Sequence, residues 1–538
     1  MTIFFKNYWA YLSVILSLLV ILPIIIIFLF IFHSGSDTWT HLKNTVLTSY
    51  IINSLILLIF SALGTLILGT VSAWLVVMYK FPFKQYIEWL LVLPLAIPSY
   101  ALAYVYSDLL DYGGYLTVIF SFIINTEIKS INFYSIYGAI FVFIFSLYPY
   151  VYLLARQAFI AQSGTYLEVA KVSGLNLRSI FYKVSIPLAR PALIGGVILV
   201  MMETLADFGV ADYLGIETFT KGIYKAWFNL GDIISAGKLS IILLITISLI
   251  ITIEKTLRGK SEYTNDVRSF RNFKLNKLNK FLKIAALVIC SIPIIIGFII
   301  PLITLINWSI YSINNVNIYN FFNLILSSFS LALLASLICV AFAIIIIYGV
   351  RTNEKIAGPF ARIASLGYSI PGAVAAIGVL IPLAWLDNFI NDFLLYYFNI
   401  SIGLILTGSW FALLFAYLVR FLALSMHSVE SSFIKIPKSL DYVAKVLGAS
   451  NSKILTKINA RIGLGGISLG LLIVFVDVLK ELPATIILRP FGLNTLAIKA
   501  HEYAIDERLG DAAIPLLAII IVCLIPLFIL AKGIREKL

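Results

Sequence analysis

Charge is scarce in this sequence: Asp, Glu, Lys and Arg together make up 12% of its 538 residues. A soluble protein of this size needs a far larger polar share to cover its surface, so a water-exposed globule is excluded. Cysteine and histidine are rarer still, at three and four. Cys290, Cys339 and Cys523 each fall inside an apolar run and read as small core residues, with no disulfide framework and no metal cluster. His33, His41, His427 and His501 are too scattered for a histidine metal site. A phosphate-binding G-x4-G-K-[ST] loop is missing. The nearest approach, GDIISAGKLS from Gly231, has its glycines one residue too far apart and a leucine after the lysine. No clustered nucleophile or acid–base pair is visible either. We therefore expect no catalytic residues, no stably bound cofactor and no nucleotide hydrolysis on this chain.

What fills the space is apolar: 61% of the residues are hydrophobic. The runs are long and apolar on every side, unlike the short alternating strands of a membrane barrel. Twelve spans are predicted, at about 9–32, 51–78, 87–110, 134–155, 192–214, 239–255, 283–306, 328–350, 362–386, 401–425, 464–487 and 513–531. The first is too long for a signal-peptide core and reads as a retained span. The net charge of +13 is not a nucleic-acid footprint, because Lys and Arg gather in alternate connections: 156–190, 255–283, 426–463 and the tail. That is the positive-inside arrangement, and it predicts that both termini are cytoplasmic.

The hexapeptides VAKVSG (Val169 to Gly174) and VAKVLG (Val443 to Gly448) stand 274 residues apart. The offset persists beyond them. Glu203 falls on Asp477, Leu205 on Leu479, Asp207 on Glu481 and Lys225 on Lys499, while Ile97-Pro98 meets Ile370-Pro371 at an offset of 273. A constant offset through loops, spans and carboxylates indicates duplication. Six spans separate equivalent points, so the copies are parallel. The expectation is an all-α membrane protein of about 12 transmembrane helices in two parallel-related six-helix repeats. Residues 1–258 form the first repeat with its loop 156–190, and 283–538 the second with its loop 427–463. The stretch 259–282 is a basic cytoplasmic linker that reads as a solvated tether and topogenic signal, with contact to anionic membrane lipid as the alternative.

Each hexapeptide suits a short helix ended by glycine in the left-handed conformation, with a second short helix after it. Pro187 and Pro191 then suit the first turns of a span. The product is a polar elbow at the membrane surface, repeated on one face. Glu168-Val169-Ala170, Gly174 and the Val-x-Ile-Pro of Val184 to Pro187 resemble the EAA loop of ABC-importer permeases. In the second copy Tyr442 stands in the glutamate position and Arg461 in the proline position. The stretches Met202 to Phe228 and Asp477 to Ala497 are similar to the fused twelve-span permeases of iron(III) importers. The resemblance implies a type I ABC-importer permease fold in a bacterial inner membrane. It implies a cytoplasmic ABC ATPase dimer and a periplasmic iron-binding protein as partners, with iron(III) as the transported substrate. It assigns ATPase coupling to Glu168, Val169, Ala170, Lys171, Gly174, Val443, Ala444, Lys445 and Gly448. Thiamine-type and sulfate/molybdate-type permeases are alternatives. So is a secondary transporter, which has no need of paired elbows.

Glu203 and Asp207, like Asp477 and Glu481, are spaced i, i+4 in apolar runs and are expected on one helix face each. Two readings stand. The four carboxylates line the translocation path as hard oxygen ligands for a trivalent cation, or they form ion pairs with Lys480 and Arg489 that hold helices together.

Overall fold

A computed structural model describes residues 7–126, 129–162, 172–258, 276–277, 279–315 and 317–535. It is all-helical apart from a two-residue parallel pairing of Tyr79–Lys80 with Asn276–Lys277. Among the described residues ten helices are long and apolar enough to cross a membrane, and the number is 12 if each of two sharply bent helix pairs is one span. We label the principal helices α1 (Tyr8–Leu29), α2 (Leu47–Met78), α3 (Ser99–Leu110), α4 (Ile136–Ala161), α5 (Ile186–Ala206) and α6 (Ile233–Arg258). The second series is α7 (Lys280–Ser312), α8 (Ile318–Thr352), α9 (Gly372–Phe398), α10 (Trp410–Phe433), α11 (Leu464–Lys480) and α12 (Leu509–Arg535).

The duplication is visible in local geometry. Pro98 and Pro371 precede α3 and α9 with φ/ψ of −57/142° and −57/143°. Ser135 and Ser409, 274 residues apart, accept backbone N–H groups at the starts of α4 and α10. Asn125 and Asn399 take the left-handed conformation at φ 56° and 55°. Five-residue π turns occupy 181–185 and 455–459. Gly196 of α5 meets the backbone of Val151 in α4, and Gly470 of α11 meets that of Ser425 in α10. A Cβ added at these glycines would stand 2.9 and 3.4 Å from those Cα atoms, so small residues set the close approach of the two helices.

Two compact units result, and they are not the two halves of the sequence. The first comprises residues 1–44, 222–244 and 315–502. In it α1 packs on α8 and α9: Ser13 Oγ donates to Ile346 O at 3.1 Å, Gly349 sits against Ser13 and the Trp9 carbonyl, and Gly378 sits against Pro23 and Ile27. The second comprises residues 45–221, 245–314 and 503–538. There α7 and α12 join α2 to α5: Tyr106 donates to Ile296 O at 2.7 Å, Gly297 meets the Phe145 carbonyl, and the Trp89 and Phe528 rings lie 5.6 Å apart. Each unit thus combines core spans of one repeat with flanking spans of the other. Cys290, Cys339 and Cys523 are buried in these cores.

Spans drawn from hydrophobicity alone are displaced where the chain bends. The run 87–110 is broken by 91° between Lys84–Ala96 and Ser99–Leu110, and the run 362–386 starts its real span only at Gly372. In both places a proline stands immediately before the new helix.

Candidate functional site

The second elbow is described in full. Lys438–Val446 is a helix closed by a Schellman turn: Ala449 N–H reaches Ala444 O at 2.9 Å and Gly448 N–H reaches Lys445 O at 3.0 Å. Gly448 supplies the required left-handed residue at φ 82°. Ser450 then accepts the Lys453 N–H and starts the next helical turn. In the first elbow Gly174 stands at φ 79°, and Asn176 takes the capping role by accepting Ser179 N–H at 2.8 Å. Glu168, Val169, Ala170 and Lys171 lie outside the described residues.

The exposed face of the second elbow is not the one the motif suggests. Ala444 is turned inward, 8% exposed, whereas Val446 and Leu447 are 87% and 81% exposed, beside Tyr442 and Val443. These side chains give a charged elbow an exposed apolar tip. Lys445 is also exposed.

What holds this elbow was not foreseen from sequence. Arg351, in the last turn of α8, donates to Asp441 Oδ2 at 2.6 Å, to Phe433 O and Ile436 O at 3.0 Å each, and to Pro437 O at 3.3 Å. Tyr348, one turn earlier, donates to Asn451 O at 2.8 Å. Arg351 and Asp441 are 90 residues apart in sequence, and only the composition of the elbow hinted that a partner was needed. In the second unit a buried Arg156 pairs with Glu88, with a 2.9 Å bond from Nε, and Tyr152 donates to Glu88 O at 2.6 Å.

The carboxylates correct an expectation. Neither pair shares a helix face, because both helices stop first. α5 ends at Ala206, and Asp207 is extended at φ −70°, ψ 129°. α11 ends at Lys480, and Glu481 is extended at φ −67°, ψ 126°. Each side chain then caps the short helix that follows, Gly209–Tyr213 or Pro483–Leu488. Asp207 accepts Val210 N–H at 2.8 Å and the Ser99 hydroxyl at 2.5 Å. Glu481 accepts Ala484 N–H and Thr485 N–H at 2.9 Å each, the Thr485 hydroxyl at 2.6 Å and Arg420 Nη1 at 2.7 Å. Glu481 is 4% exposed and pairs with Arg420, rather than with the neighbouring Lys480 or Arg489 of the sequence reading. Glu203 and Asp477 stay within their helices and are half-buried. Glu203 and Asp207 belong to the second unit, Asp477 and Glu481 to the first. Among the described residues no group of three or more His, Cys, Asp or Glu could hold a metal ion.

Beyond the break of α11, Glu502 takes Arg489 Nη2 at 2.9 Å and Lys499 Nζ at 3.0 Å. Burial pulls the Glu502 carboxyl upward, but the hydrogen bonds and charges of Lys499 and Arg489 outweigh it and hold it below the usual range. Just before α6, burial of Asp232 is likewise outweighed by hydrogen bonds from Ser235, Ser36 and the Ile234 N–H, and its carboxyl is lowered.

Among the described residues, ten helices able to cross a membrane, or twelve spans if each bent pair counts as one, together with a left-handed glycine at each elbow, define an all-helical, multi-pass membrane protein. Residues 64–254 match the family described as "Binding-protein-dependent transport system inner membrane component". The chain is similar to the Fe(3+)-transport system permease protein FbpB 2 of Haemophilus influenzae, 23% identical over 490 residues covering 89% of each chain. It is 26% identical to the sulfate transport system permease protein CysT of Salmonella typhimurium over 28% of this chain and 52% of that one. It is 24% identical to the spermidine/putrescine transport system permease protein PotB of Escherichia coli over 33% of this chain and 65% of that one. The chain is an inner-membrane permease of a binding-protein-dependent ABC importer, a non-catalytic subunit of that system.

Proposed function

We propose that the chain passes iron(III) from a periplasmic binding protein to the cytoplasm by alternating access, driven by ATP hydrolysis on a separate cytoplasmic ATPase dimer seated on the two elbows. The observation that carries the cargo is the similarity to an Fe(3+) permease along 89% of both chains, whereas the sulfate and polyamine permeases match about a third of this one. The duplicated left-handed glycine at Gly174 and Gly448 supports two ATPase contacts. Lys and Arg in alternate connections support cytoplasmic termini.

The interrupted spans give alternating access its mechanical basis. Non-helical backbone is tolerated in a membrane only where protein covers it or water reaches it. A break held by side chains can tilt one helix segment against the next while its main-chain groups stay bonded. Asp207 and Glu481 hold the breaks. In this reading Glu203 and Asp477, half-buried and a turn earlier, meet the passing cation, and weak contact suits an ion that must be released.

The test is uptake into proteoliposomes holding the permease with its ATPase and binding protein. Labelled iron(III) should accumulate only with ATP, and sulfate or spermidine should not. ATP-dependent uptake of either of those without iron would overturn the cargo. Iron uptake that needs no ATPase would overturn the mechanism.

A further inference from the structure

We infer that Arg351 is the joint through which the second elbow moves α8, so that this elbow is coupled rigidly to α8 and loosely to the span that follows it in sequence. The inference rests on the reading that an ATPase docks on the elbows. One guanidinium, 8% exposed, bonds the Asp441 carboxylate inside the elbow helix and the carbonyls of Phe433, Ile436 and Pro437 leading into it. These are charge-assisted bonds in a fixed fork, which resist both sliding and rotation. Tyr348 adds a second attachment one turn along α8, at the carbonyl of Asn451 on the far side of the Gly448 turn. The elbow is therefore gripped at both ends by a single 35-residue helix.

The connection from the elbow onward to α11 is of the opposite kind. It passes through the π turn Leu455–Asn459 and a 76° bend before Leu464. Asn459 is fully buried there, and neither its amide nitrogen nor its amide oxygen makes a hydrogen bond. A π turn carrying an unsatisfied buried amide can rearrange at little loss, because the side-chain bond made there, from Thr456 Oγ1 to Ser452 O at 2.9 Å, is local and ties it to no other helix. Displacement of the elbow would thus pass into α8 first. The sequence does not repeat this pair at the 274-residue offset: the positions equivalent to Arg351 and Asp441 are Val77 and Leu167. In the first repeat the position equivalent to Tyr348 is Trp74, whose ring packs against Phe181 at 4.9 Å and Phe159 at 5.4 Å.

Arg351 is a positioning residue, and its test reads position as well as turnover. Spin labels at Lys445 on the elbow and Leu337 on α8, both exposed, report their separation in the purified full-length permease without ATPase. Arg351→Gln should broaden that distance distribution, and Arg351→Lys should broaden it less. In the complex with ATPase and binding protein, the ratio of stimulated to basal ATP hydrolysis should fall about tenfold in Arg351→Gln and be partly restored in Arg351→Lys. Asp441→Asn, which leaves the three carbonyl bonds in place, should lower the ratio about threefold. It carries the test by itself if Arg351→Gln does not assemble. Arg362→Gln, which removes only an exposed pair with Glu354, should change nothing. A narrow distribution with full stimulation in Arg351→Gln, or in Asp441→Asn where Arg351→Gln fails to assemble, would overturn the inference. Failure of iron uptake in the wild type bears on the cargo alone, because the label distances are read without cargo or ATPase.

Discussion

At the scale of single residues, Gly174 and Gly448 have the clearest mechanical meaning. A Cβ at either would meet no atom within 4 Å, so any penalty is one of backbone conformation alone, about 1 kcal/mol or more for a β-branched side chain at positive φ. Gly174→Val should insert and accumulate normally yet lose stimulation of ATP hydrolysis by the binding protein. Retention of full stimulation would show that the turn does not set the elbow's angle. The glycines were legible in the sequence because the hexapeptide repeats, but the inward turn of Ala444 was not, since a small residue reads the same on either face. A cysteine at Val446 should be labelled rapidly by a membrane-impermeant thiol reagent and one at Ala444 slowly. Equal rates would contradict the packing of the elbow helix. The two carboxylate types should also part company. Glu481→Gln leaves Arg420 buried without its counter-charge, a loss of about 3–5 kcal/mol for a pair of this kind, and should reduce the amount of folded permease. Glu203→Gln should lower iron uptake per assembled complex. Normal uptake per complex would remove Glu203 from the path.

At the scale of elements, the spans themselves were readable and their interruptions were not. The fifth span predicted from hydrophobicity runs on through residues 203–214, ETLADFGVADYL, although the helix stops at Ala206. The stop is made by Asp207, which exchanges a place in one helix for the cap of the next. In the second repeat a signal existed: Pro483 follows Glu481-Leu482 and suits the first turn of a new helix. The offset of 274 could have carried that signal back to Asp207. The segment past the second break has its own pH response. Because the Glu502 carboxyl is lowered in the folded protein, its ion pairs stabilise the fold above the unfolded carboxylate range, near pH 4.3. That contribution is lost as pH falls through the folded value. Hydrogen exchange in residues 489–502 should therefore be slower in the wild type than in Glu502→Gln at pH 7, and the difference should shrink below about pH 4. A difference that grows on acidification would mean that Glu502 is not held as an anion.

At the scale of the whole molecule, the sequence repeats and the compact units differ because flanking spans are exchanged: α1 serves the core of the second repeat, and α7 and α12 serve that of the first. The repeat offset says which residues are equivalent, not which copy a span leaves to find its neighbours. Residues 1–258 produced alone in membranes should thus be aggregation-prone in detergent, as should 283–538, while the two produced together should give a single monodisperse species. A monodisperse 1–258 by itself would argue against the exchange. The same arrangement also imposes a schedule on synthesis. Ser13 and Ser17 of α1 end up fully covered, and the helices that receive α1 begin at Ile318. At ribosomal speeds of roughly 5–20 residues per second, α1 waits on the order of 15–60 s in lipid before they emerge. For that interval its hydroxyl-bearing face has no docking partner, and the membrane must hold a helix whose hydroxyls have only its own backbone carbonyls to bond. Slowing translation anywhere between the first span and the eighth would lengthen the wait and expose the nascent chain to quality-control proteases, although the sequence of the finished protein would be unchanged.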